Sequence, residues 1–210
     1  ELAPFSTVAA QYEFRKETIL KALKEENIPV DFDIIVGRGG LTRPVVSGVY
    51  EVSEDMRKVL LSAEYGEHAC NLGGLIAADI AKEIGCKAVI ADPVVVDELQ
   101  DVARISGHPE LPNISIFHAL NQKAIARRFA KENGKKYEEL NLIIAHLGGG
   151  VSVGAHNFGK VIDVNCALGG NGPFSPERVG TVSATGLMNL CFSGKYTKQE
   201  VKRMLVGNGG

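Results

Sequence analysis

Residues 142–164 confine the chain to a narrow set of folds. Leu142 to Leu147 and Val151 to His156 are apolar runs of strand length separated only by Gly148-Gly149-Gly150, and Lys160 to Val164 comes after Asn157-Phe158-Gly159. Runs this short on glycine turns suit no helix and predict an antiparallel meander of three strands. The text before it alternates differently. Gln11 to Glu26 has helical periodicity, and Phe32 to Val36 reads as a buried strand running into Gly37-Arg38-Gly39-Gly40. Val45 to Val52 is extended, Ser53 caps a helix through Ser62, and Asn71 to Ile84 is a helix closed by Gly85. Lys87 to Ala91 is a further buried strand that stops at Asp92-Pro93. Helices alternating with strands predict an α/β chain with a parallel or mixed sheet. Phe117 to Asn133, Gly186 to Phe192 and Thr197 to Leu205 complete the helical segments.

His108-Pro109 and Leu111-Pro112 break regular structure, and a domain boundary is placed there, giving units 1–112 and 113–210. Charge divides at the same point. The first unit holds 11 basic and 19 acidic residues, the second 12 and 6, although the whole chain is only −2. That balance predicts no nucleic-acid partner and no anionic membrane surface, and two faces of opposite sign suit an anionic ligand near the basic one. No apolar run is long enough to span a bilayer, and Glu1-Leu2-Ala3-Pro4 has neither the basic start nor the apolar run of a signal peptide. Cys70, Cys86, Cys166 and Cys191 have no metal or redox spacing, which predicts reduced thiols and a cytoplasmic protein. Cys166 and Cys191 are expected as small core residues.

The loop Gly148-Gly149-Gly150 after His146 is the candidate anion site. Glycines permit positive φ and let backbone N–H groups approach phosphate oxygens. No Lys-Ser/Thr pair comes after it and the next element is a strand, so neither a Walker A loop nor a dinucleotide fingerprint is present. A plain hairpin turn accounts for the triplet equally well. Arg38 and Asp92 each stand just past a strand, Arg178 lies in the rigid loop Gly172 to Gly180, and His118 opens a helix. Guanidinium groups, a carboxylate and backbone amides are what phosphoryl transfer uses. His68, His108 and His156 are expected at the surface or in packing, and no serine or cysteine sits in a nucleophile elbow.

Several of these segments together resemble the acetate kinase family, and within it the butyrate-using branch. They are Gly37-Arg38-Gly39-Gly40, Asp92 to Glu98, Phe117 to Lys123, His146 to Gly154, Val161 to Asn165 and Gly172-Pro173-Phe174-Ser175-Pro176-Glu177-Arg178. The resemblance implies an actin-like fold of two ribonuclease-H-like domains, both incomplete here, the first on the acyl side and the second on the nucleotide side. It implies reversible transfer of the ATP γ-phosphoryl to a small carboxylate, butyrate in the first instance, to give butanoyl phosphate and ADP, with Mg²⁺. Acetate or propionate as acceptor, or a nucleotide-binding piece without transfer, are the alternatives. Arg38, Asp92, His118 and Arg178 take the catalytic positions by this resemblance, with Asp92 near the metal. His146, Gly148, Gly149 and Gly150 hold nucleotide phosphates, and a homo-oligomer is implied for the complete enzyme. Gly40 is expected to leave room for an acyl tail walled by Leu41 and Phe117. The family's opening phosphate hairpin and its metal-side glutamate have no counterpart, so the chain reads as the central part of a longer enzyme, inactive by itself. Gly169-Gly170-Asn171 stands where acidic residues are expected.

Overall fold

The computed structural model describes residues 2, 4–169 and 171–210, so Gly170 and two residues of the opening Glu1-Leu2-Ala3-Pro4 lie outside the described residues. The chain separates into two compact units, Glu1–Val95 and Val96–Gly210.

The first unit contains α1 (Tyr12–Glu25), β1 (Ile34–Gly37), β2 (Val49–Glu51), α2 (Glu54–Ser62), α3 (Cys70–Ile84) and β3 (Lys87–Ala91). Its sheet is mixed, in the order β1-β3-β2, with β3 parallel to β1 and antiparallel to β2. The all-apolar Ala88, Val89 and Ile90 take the central strand, where both neighbours pair with them. α3 is apolar around most of its surface and supplies Leu72, Leu75, Ile76 and Ile80 to the core, against Leu60 of α2 and Ile35 of β1. Ser53 caps α2 by accepting from Met56 N, and Gly85 closes α3 at φ +79°. Asp79 of α3 accepts from Tyr12 Oη and pairs with Arg57 Nη2 at 2.7 Å, tying α1 and α2 to it. Partial burial pushes the Tyr12 phenol pKa well up, while its hydrogen bond and Arg57 together hold the Asp79 carboxyl below its usual range.

One expectation needs correction. The strand read as buried exposes Ile34 (47%) and Val36 (59%). β1 is an edge strand, and only its Ile35 face meets α3.

The second unit begins with α4 (Asp101–Arg104) and α5 (Ala119–Glu132), then the meander β4 (Asn141–Leu147), β5 (Val151–Asn157) and β6 (Lys160–Val164). Leu147 pairs with Val151 across the glycine loop, and Phe158 (φ +47°) with Gly159 (φ +86°) makes the second turn. Leu142 and Ile144 pack against Ala126 and Ala130 of α5 and against Tyr137. A second cluster joins Val96, Leu99, Phe117, Ala119, Val161 and Val164. That cluster is why the compact units part at Val95, before the proline-rich segment that marks the sequence boundary at 112. Val96 and Leu99 pack against residues of α5 and β6, and so belong to the second unit. α6 (Ala184–Cys191) and α7 (Lys198–Leu205) are capped by Ser183 and Thr197. Cys166 is buried as expected, but Cys191 is exposed, because none of α6 is buried.

Candidate active site

Each unit carries its own part of the candidate constellation. In the first, Arg38 is an exposed side chain directly after β1. Its loop lies close on α3 because two glycines meet there: a Cβ on Gly37 would fall 2.5 Å from Gly73 O, and one on Gly73 would fall 2.7 Å from Arg38 O. Burial pushes the Cys70 thiol pKa up to about 11, against the opposing pull of the Arg38 guanidinium. Asp92 is 5% exposed and comes directly after β3 at φ +38°, a left-handed conformation uncommon for a residue other than glycine. Its Oδ1 accepts from Ser47 Oγ at 2.6 Å and Gly48 N at 3.0 Å, and its own N–H donates to Gly48 O. These bonds hold the carboxylate in one orientation beyond the strand end. Among the described residues no group of three or more His, Cys, Asp or Glu side chains is placed to hold a metal ion.

The acyl-side expectation is corrected in one respect. The space beside Gly40 is filled: a Cβ there would lie 2.5 Å from Asn71 Cα and 2.6 Å from Leu60 Cδ2. Leu41 is buried and donates its N–H to Asn71 Oδ1 at 2.9 Å, and Phe117 is a core residue of the second unit. Each of the three packs its own unit's interior.

In the second unit the fold gathers His118, His146, the glycine loop and Arg178. His118 is the N-cap residue of α5, a helix with no acidic residue in its first turn, so its positive end is uncompensated there. The His118 ring stacks on His146, with centroids 3.7 Å apart and planes 7° from parallel. Asn121 Nδ2 donates to His146 Nδ1 at 2.8 Å, one turn into α5. A Cβ on Gly150 would lie 3.1 Å from Arg178 Cζ and 3.2 Å from His118 Cε1, and one on Gly149 would meet the Glu177 carboxyl at 3.2 Å. The arginine and the histidine thus converge on Gly150. Arg178 donates from Nη1 to Ala167 O at 2.5 Å, while its buried Nε–H has no hydrogen-bond partner. The Arg178 loop is latched to the glycine loop by Ser175 Oγ, which donates to Gly149 O at 2.6 Å. An unsatisfied guanidinium N–H beside a helix N-terminus suits an anionic ligand of phosphate type, with the Glu177 carboxyl at Gly149 acting against it.

The glycines act here through space rather than through φ. Gly148, Gly149 and Gly150 all lie outside the positive-φ region that the sequence suggested. What they permit is the close approach of Arg178, Glu177 and His118.

Residues 115–210 match the sequence model of the acetokinase family. The whole chain is 59% identical over 210 residues to a probable butyrate kinase from Phocaeicola vulgatus, and 57% identical over 211 residues to butyrate kinase 2 of Clostridium acetobutylicum. The chain spans 59% of the length of each of these relatives. Its fold is that of the acetate kinase of Porphyromonas gingivalis (TM-score 0.71, 18% identity, 94% of this chain and 53% of that one). A propionate kinase from Francisella tularensis aligns similarly, at TM-score 0.70 and 19% identity, over 92% of this chain and 53% of the other. The α/β fold of this chain is thus the one these two structures share, and it covers about half of each.

Ser152, Gln122, Ser47 and Asn71 escaped the sequence reading. All are ordinary polar residues whose importance lies in what they bond. The one available signal was the placement of Ser152 and Gln122 at inward positions of an apolar strand and an apolar helix face, where an unpaired polar group is costly.

Proposed function

We propose that the protein of which this chain is a part transfers the γ-phosphoryl group of ATP to the carboxylate of butyrate, giving butanoyl phosphate and ADP, and runs the reverse reaction. The single observation that carries this reading is the convergence of Arg178 and His118 on Gly150, beside the unsatisfied Arg178 Nε–H. The names of the relatives support the choice of acceptor. In this reading the first unit is the acyl side and the second the nucleotide side. Backbone N–H groups of Gly148 to Gly150, with His146, hold the nucleotide phosphates, and Arg178 neutralises charge on the transferring group while His118 donates a hydrogen bond to it. Arg38 orients the acceptor carboxylate. Positioning and charge neutralisation of this kind constitute most of phosphoryl-transfer catalysis.

Asp92, fixed by Ser47 and Gly48, is proposed as the carboxylate nearest the nucleotide's metal. Mg²⁺ is proposed to arrive with the nucleotide phosphates. No helix among the described residues is long and apolar enough to cross a membrane. A cytoplasmic location and a homo-oligomeric state are proposed with the family assignment.

The test is an acyl-phosphate assay on the full-length protein with butyrate, propionate and acetate in competition. Two buried methylenes at roughly 0.8 kcal/mol each give on the order of tenfold preference for butyrate over acetate. Equal or inverted preference would transfer the assignment to the acetate or propionate kinases. No acyl phosphate from any of the three would leave nucleotide binding alone.

A further inference from the structure

We infer that Ser152 is a positioning residue that fixes the tautomer of His118, holding the imidazole with its proton on Nε2. The inference rests on a buried chain of hydrogen bonds with one unambiguous anchor. Ser152 O is a backbone carbonyl and can only accept, so the Gln122 side-chain atom 3.1 Å from it is the amide nitrogen. The same Nε2 also lies 2.9 Å from Ser152 Oγ, and donates to it. Gln122 Oε1 must then face the other way, where it lies 2.9 Å from His156 Nε2. An amide oxygen only accepts, so His156 carries its proton on Nε2, and its Nδ1 accepts from Tyr137 Oη at 2.6 Å.

The serine hydroxyl has one proton to place. Ser152 and Gln122 are each 0% exposed, so no bulk water is available to take it. Its oxygen already accepts from Gln122, and weakly from His118 N at 3.4 Å. The remaining partner is His118 Nδ1, 2.8 Å away. Ser152 Oγ–H therefore donates to Nδ1, which leaves the His118 proton on Nε2, the ring atom next to the Cε1 that borders Gly150. Burial lowers the His156 pKa to about 4, so that ring stays neutral and the polarity of the chain is preserved near neutral pH.

The relay makes His118 a hydrogen-bond donor toward the loop and denies it the role of a general base through Nε2. That the donor meets a transferring phosphoryl rests on the carboxylate-kinase reading, whereas the tautomer does not. The two therefore fail separately in one set of experiments. Full-length protein labelled with ¹⁵N-histidine is examined by long-range ¹H–¹⁵N correlation, with His118 assigned by its loss in His118→Asn. The expected spectrum shows an unprotonated, hydrogen-bonded Nδ1 and a protonated Nε2. Ser152→Ala removes the Nδ1 partner while Gln122 keeps the carbonyl of residue 152, so the Nδ1 resonance moves to that of an unbonded nitrogen. Gln122→Glu supplies an acceptor to the serine hydroxyl and is expected to move the His118 proton to Nδ1.

Kinetically, Ser152→Ala should lower kcat by on the order of 10²-fold, the penalty of a misplaced reacting group, with KM for ATP within a few-fold. Ser152→Thr, which keeps the hydroxyl, should recover most of that loss. A wild-type spectrum with the proton on Nδ1 would overturn the inference, and this measurement needs no variant to fold. So would a His118 spectrum identical in wild type and Ser152→Ala. Absence of acyl-phosphate formation with the expected tautomer would instead overturn the kinase reading.

Discussion

Arg178 combines two properties that seldom coincide, a buried donor without an acceptor and a guanidinium pressed against a glycine. A buried polar group left unpaired costs about 1–3 kcal/mol, and such a cost is tolerable where a ligand supplies the missing acceptor. On the proposed carboxylate-kinase reading, Arg178→Ala in the full-length protein is expected to reduce acyl-phosphate turnover by ~10³–10⁵ while the fold survives. Arg178→Lys should rescue little, since an ammonium lacks the planar fork. Steady-state rates of both variants decide this, and turnover within a few-fold of wild type removes Arg178 from the mechanism. Gly40 belongs to the same scale with the opposite outcome. A branched side chain there enters Asn71 backbone and Leu60, so Gly40→Val is expected to destabilise by about 1–3 kcal/mol through overpacking. A thermal-melt midpoint unchanged from wild type, together with a shift toward acetate, would restore Gly40 to an acyl pocket.

Among the elements, α5 carries the most. It places His118 at its N-cap, Asn121 and Gln122 in its first turn, and Lys123 at 0% exposure, against Glu98 at 2.8 Å and Gly159 O at 3.0 Å. The same Glu98 oxygen accepts from Val161 N at 2.9 Å, so this ion pair fastens α5 to β6. Lys123→Met takes the ammonium away from a buried carboxylate and is expected to cost about 3–5 kcal/mol in urea unfolding. A loss under about 1 kcal/mol would show that Glu98 is satisfied without it.

His156, behind the same helix, gives the element a pH signature. Its folded pKa of about 4 lies below the usual 6.5, so the unfolded chain binds the proton more readily. The penalty is absent above about pH 6.5, grows as pH falls, and levels off near pH 4. His156→Gln should flatten the fall in unfolding midpoint across that window relative to wild type. Parallel curves for the two proteins would place the acid sensitivity elsewhere.

At the scale of the whole molecule, much apolar surface lies open. Ile143 and Leu147 on the outer face of β4 are 74% and 76% exposed, and Phe174 and Phe192 are 74% and 86% exposed. Leu147, Val151, Phe174 and Pro176 line a cavity of about 440 Å³ beside Gly148. Exposed apolar side chains, with β4 and β6 at the edges of a three-stranded sheet among the described residues, favour association. The 210-residue chain purified alone is therefore expected to self-associate in light scattering and to form no acyl phosphate. A monodisperse monomer, or turnover at about 1–10³ per second, would contradict that expectation.

Local chemistry made much of this protein legible before any coordinates. The meander, the α5 span, the Ser53 cap and the Gly85 stop depend on period, capping and turn residues within a few positions of each other, and all are written in the chain. The resemblance to the acetate kinases was legible too, because Arg38, Asp92, His118 and Arg178 sit in short segments with characteristic neighbours. Tertiary structure alone decided what those neighbours do. Gly150 looks like a residue chosen for φ, yet its missing Cβ makes room for an arginine 28 positions away in sequence. Ser152 and Gln122 look like incidental polar residues, yet their burial leaves one way to place each proton. β1 reads as buried by composition, but its exposure depends on having a neighbour on only one side. Hydrogen-bond satisfaction and steric exclusion act between atoms that the chain brings together only by folding, so no local pattern can carry them.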